Sequence, residues 1–98
     1  FDSRIGKGTY NVFGTEAVLK EIERNKVKLI IIATDASERT KMKFKNISSD
    51  KNIPIMEYLK IDEISKAIGK DNKAIIGLKD INFSKQIIKI INGGEAIG

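Results

Sequence analysis

Two short apolar runs, Leu29-Ile30-Ile31-Ile32-Ala33 and Ala74-Ile75-Ile76-Gly77-Leu78, constrain the fold more than any other feature of the chain. Each is continuous where a half-buried strand would alternate, and the first is rich in β-branched residues. Such runs are the mark of strands covered on both faces. A sheet with covered strands at its centre needs helices on each side, and the intervening segments offer them.

Tyr10-Asn11-Val12-Phe13 is a further strand candidate, and Gly14-Thr15 breaks it, with Thr15 as a candidate N-cap. A helix is predicted from Thr15 to Lys26, with Val18, Leu19 and Ile22 at helical spacing and Arg24 and Lys26 late, as the macrodipole prefers. Thr34-Asp35-Ala36-Ser37 reads as a turn and cap. The stretch from Glu38 to Ser49 is two-sided: Thr40 to Lys45 alternates with period two, while Thr40, Phe44 and Ile47 fit a helix. Because Ser37 caps well, a helix is predicted. Pro54 limits the next strand to Ile55–Tyr58 at a sheet edge. Ile61, Ile64, Ala67 and Ile68 share a helical face ending at Gly69, a left-handed stop. Phe83, Ile87, Ile90 and Ile91 mark the last helix, stopped by Gly93-Gly94. The expected architecture is a three-layer α/β/α sandwich around a mixed four-stranded sheet. A chain of 98 residues is expected to form one domain, 1–98, with one core.

The chain has no cysteine and no histidine, which removes disulfides, thiolate metal sites, Cys or His nucleophiles and the usual neutral-pH proton shuttle. Ile5-Gly6-Lys7-Gly8-Thr9-Tyr10-Asn11-Val12 has the outline of a kinase glycine-rich loop. Asn11 replaces its third glycine, however, and no His-Arg-Asp or Asp-Phe-Gly segment follows. No Walker loop is present, and no spacing forces convergence of any pair among Asp35, Asp62, Asp71 and Asp80. No catalysis, metal or cofactor is expected. The 18 Lys and Arg against 13 Asp and Glu give a net charge of +5, which favours polyanionic partners through counterion release. No apolar run approaches the roughly 18 to 20 residues of a membrane helix, so a cytoplasmic protein with no membrane partner is expected.

The stretch that carries a binding reading is Gly14-Thr15-Glu16-Ala17-Val18-Leu19-Lys20, leading into Lys28-Leu29-Ile30-Ile31-Ile32-Ala33-Thr34-Asp35-Ala36. Gly14 admits a ligand backbone closely, and a helix beginning at Thr15 turns its free amides toward that ligand. Glu16 and Lys20, four apart, share one face and present an acceptor beside a donor; the alternative is a routine surface ion pair.

This stretch resembles the kink-turn-binding ribosomal protein superfamily, whose pattern is G-x-N-E-x-x-K, a helix, then a Lys-Leu-Val-Ile-Ile-Ala-x-Asp strand and turn. Lys51-Asn52-Ile53-Pro54 and Ile64-Ser65-Lys66-Ala67-Ile68-Gly69-Lys70 are similar to its edge strand and later helix end. The similarity covers about residues 12 to 91, and within the superfamily it points to the bacterial YlxQ-like branch. The resemblance implies a monomeric, ribosomal or ribosome-associated protein that reads a kink-turn-like internal loop. It further implies an RNA site made of Gly14, Thr15, Glu16 and Lys20 with Ile68, Gly69, Lys70, Asp71, Asn72 and Lys73. Two positions depart from the pattern: its Asn is Glu16 and its Glu is Ala17. Losing that acceptor removes about 1 to 3 kcal/mol of base discrimination. Two other readings remain. One is a protein-binding module using an apolar end or the sheet edge beside Ile53 to Tyr58; the other is a substrate-presenting domain of an RNA-modifying enzyme.

Overall fold

A computed structural model describes residues 11–69 and 72–93, without the side chains of 67, 68, 92 and 93. Tyr10, Lys7 with the rest of the glycine-rich lead-in before Asn11, Lys70, Asp71 and Gly94 lie outside the described residues. The elements run β1 (Asn11–Phe13), α1 (Thr15–Glu23), β2 (Leu29–Ile32), α2 (Glu38–Lys51), β3 (Ile55–Glu57), α3 (Ile61–Ile68), β4 (Ile75–Leu78) and α4 (Ile81–Gly93). The sheet order is β1-β4-β2-β3. β4 is antiparallel to both neighbours and β2 is parallel to β3, so the sheet is mixed, as expected. The two apolar runs form the central strands, and Ile31 and Ile76 are both 0% exposed.

The register shows which helices cover which face. Val12, Gly77, Ile30 and Ile55 lie across from one another and share a face. A methyl group on Gly77 would meet Val18 of α1 at 3.4 Å, so this is the face α1 packs on. Glu57 lies two residues beyond Ile55 on the same face, and it is paired with Lys41 and Lys45 of α2 at 3.2 and 2.9 Å. Hence α1 and α2 share one face, as right-handed β1-α1-β2 and β2-α2-β3 connections advancing in one direction require. The opposite face, carrying Phe13, Ile76, Ile31 and Met56, is left to α3 and α4, which bury Ile64, Phe83 and Ile87.

The two-sided stretch is helical. Ser37 Oγ accepts from Thr40 N at 3.2 Å, Phe44 is fully buried, and the helix runs two residues past the expected Ser49 to Lys51. α1 stops earlier than expected. Asn25 takes a left-handed conformation (φ 60°), its N–H donates to Ile22 O, and Lys26 N donates to Glu21 O. This is the paired closure of a Schellman end with Asn in place of Gly. Thr15 is the first helical residue, and Gly14 occupies the N-cap position expected for Thr15.

Candidate nucleic-acid interface

Because β1, β2 and β3 run one way and β4 the other, the starts of α1, α2 and α3 and the approach to β4 all meet at one end of the sheet. A helix start exposes backbone N–H donors and the positive end of the helix dipole. Two of the three starts are occupied by this chain's own acceptors. Ser37 caps α2. At α3, Glu63 Oε1 accepts from Lys60 N at 2.9 Å and Asp35 Oδ1 accepts from Ile61 N at 2.8 Å. The α1 start has no side-chain cap, and Thr15, Glu16 and Ala17 are exposed around it.

Gly14 makes this corner possible. Its φ of 89° and ψ of 158° belong to a region that only glycine enters readily, and its N–H donates to Ile75 O at 3.0 Å, tying the corner to β4. Lys73 lies across it: a Cβ on Gly14 would stand 3.2 Å from the Lys73 Nζ. A cation beside a helix N-terminus is unfavourable on its own account, since both are positive. Together they form a place where an anion gains from both. Lys73 is placed by its own backbone, whose N–H donates to Ser65 Oγ at 3.1 Å, after Asn72 turns the chain with φ 51°. Gly69 ends α3 with φ 68°, as expected from the sequence.

Of the candidate residues, the fold brings Gly14, Thr15, Glu16, Asn72 and Lys73 to this end, with Lys20 exposed one turn along α1 from Glu16. Glu16 and Lys20 make no ion pair with each other or with any other described residue, so neither is held in a surface pair. Lys70, Asp71 and the Ile68 side chain are outside the described parts.

Sequence reasoning missed two organising residues, Asp35 and Ser65. Their acceptor atoms bind N–H groups 26 and 8 residues away, and such distant partners leave no local pattern. They line a hollow of about 490 Å³ with Ile61, Asp62 and Asn72, next to the Lys73 approach. Among the described residues no group of His, Cys, Asp or Glu is placed to hold a metal, and no helix is long and apolar enough to cross a membrane. What the α1 corner offers is directed hydrogen-bond donors, Lys20 and Lys73, and the Glu16 carboxylate, with Asp35 and Asp62 at the hollow beside it.

The chain belongs to the Ribosomal protein L7Ae/L30e/S12e/Gadd45 family, whose model matches residues 6–88. It is similar to the RNA-binding protein YlxQ of Enterococcus faecium, 37% identical over 82 residues covering 84% of this chain and 79% of that protein. It is also similar to the RNA-binding protein BH0128 of Halalkalibacterium halodurans, 34% identical over 77 residues covering 78% of this chain and 94% of that one. A solved structure described as a protein with unknown function from Bacillus halodurans C superposes with a TM-score of 0.84 at 29% identity, covering 92% of this chain and 94% of that one.

Proposed function

We propose that this chain is one RNA-binding domain of the bacterial cytoplasm, acting by binding and not by chemistry. Its partner is a structured, sharply bent RNA of the kink-turn kind, within or beside the ribosome, taken by a monomer. The observation that carries the reading is the uncapped α1 start beneath Lys73. Membership of the family and the relatives named as RNA-binding proteins support it. In this reading the amides at Thr15 and Glu16 and the ammonium groups of Lys20 and Lys73 take phosphate oxygens. Glu16 accepts from an exposed base edge, and the segment Ile68, Gly69, Lys70, Asp71, Asn72 borders the bent strand. Exposed bases and shape are what proteins read in RNA, and a bent internal loop presents both.

Ala17, exposed on the first turn, is where the family pattern has a carboxylate, so base discrimination is weaker than the pattern's full set of acceptors supplies. Titration of wild type and Ala17→Glu against a kink-turn RNA and a straight duplex tests this. Wild type is expected to prefer the kink-turn, and Ala17→Glu to widen the preference by about tenfold, at the low end of one base contact. Equal, weak binding of wild type to both RNAs contradicts the reading.

A further inference from the structure

At the other end of the sheet, α1 and α2 both finish on left-handed asparagines, Asn25 (φ 60°) and Asn52 (φ 57°). The segments that follow them lie beside the end of β4, where Lys28 N donates to Leu78 O at 2.6 Å, and beside Ile81 at the start of α4. Between them is a hollow of about 310 Å³, lined by Val27, Lys28, Lys51, Ile53, Pro54 and Ile81 as well as the two asparagines. That volume is at the low end of the roughly 300–1,000 Å³ of ligand pockets.

Three features define what fits it. Ile81 is 48% exposed; the other large exposed hydrophobic among the described residues, Met42, is not in the lining. No carboxylate lines the hollow. Lys28 and Lys51 make no ion pair with any described residue, whereas Lys41, Lys45, Lys66 and Lys79 all do. An apolar seat with two unpaired cations on its rim complements an apolar side chain flanked by carboxylates. RNA fits it less well, because no aromatic residue is present to stack a base and phosphates would leave Ile53 and Ile81 uncovered.

We propose that this hollow docks an acidic peptide segment of a partner protein, with an apolar side chain against Ile53, Pro54 and Ile81 and carboxylates on Lys28 and Lys51. It lies at the end of the sheet away from the α1 start, so RNA and the partner bind without competing. The docking does not depend on the RNA reading; only its independence from RNA binding does.

The test is titration of the full ¹⁵N-labelled chain with the blocked peptide Glu-Asp-Leu-Phe-Glu-Asp. Controls replace its acidic residues by lysine, or its Leu-Phe by Ser-Ser, and a single-stranded RNA is titrated separately. Saturable shifts are expected at Asn25, Lys28, Asn52, Ile53 and Ile81 with the first peptide only. The double charge reversal Lys28→Glu with Lys51→Glu should weaken binding about tenfold. Ile81→Ser, which leaves every charge in place, should also weaken it, and both variants should keep the wild-type affinity for RNA. Absence of saturable shifts at these residues overturns the proposal. So does equal binding of the Ser-Ser peptide, which reports charge alone, or displacement of the same amides by the RNA.

Discussion

Gly14 is the residue on which the candidate site turns, because it serves conformation and space at once. An alanine there is strained by φ 89° and also meets the Lys73 ammonium at 3.2 Å. Gly14→Ala is expected to cost about 1–3 kcal/mol in denaturant unfolding, and to lower RNA affinity as Lys73 is pushed from the helix start. Gly69 is a control within the same chain. It is also left-handed, at φ 68°, but a Cβ there meets nothing within 4 Å. Because asparagine tolerates this region, Gly69→Asn should cost less than Gly14→Ala and leave Lys73 in place. Equal losses from the two substitutions would show that Gly14 acts through backbone freedom alone.

At the scale of elements, hydrophobic continuity and capping chemistry made most of the fold legible. The central strands are the two isoleucine-rich runs, Pro54 precedes an edge strand, and Ser37 begins α2. The failures have local causes. Thr15 has a capping side chain, yet the chain turns one residue earlier at Gly14, whose backbone alone can make the corner. α1 ends at Glu23 because Asn25 closes it, a weaker signal in sequence than glycine.

Contacts between elements were not legible, and two of them carry predictions. Gly77 packs under α1, where a Cβ meets Val12 at 3.1 Å and Val27 at 3.3 Å. Gly77→Val is expected to destabilise by about 1–3 kcal/mol through overpacking, read as a lower urea midpoint with unchanged slope. Glu57 joins β3 to α2. A hydrogen bond from Lys45 first, then one from Lys41, holds its carboxyl below the usual 4.5. A lowered carboxyl pKa adds stability above the unfolded value and loses it as pH falls through the folded value. Urea midpoints should therefore fall on acidification below about pH 4.5, and Glu57→Gln should shallow that fall. Glu21, lowered chiefly by its hydrogen bond from Lys79, contributes with the same sign and remains in the variant.

For the molecule as a whole, the strand order separates two ends with different chemistry. One gathers three helix starts and leaves α1 open beneath Lys73; the other gathers two helix ends around an apolar hollow rimmed by lysines. The first was legible in outline because Gly14, Glu16 and Lys20 are local in sequence. Lys73 joined them only as part of a resemblance, and its placement depends on pairing between β1 and β4 across some sixty residues. If RNA binds at this end, the two lysines neutralise phosphates there and release counterions. The most direct measurement is RNA affinity against salt concentration for wild type, Lys20→Ala, Lys73→Ala and the distant Lys28→Ala. Lys20→Ala and Lys73→Ala should each weaken binding and reduce the log-log salt slope by roughly one unit, with Lys28→Ala unchanged. Wild-type affinity and slope in both Lys20→Ala and Lys73→Ala would contradict the account.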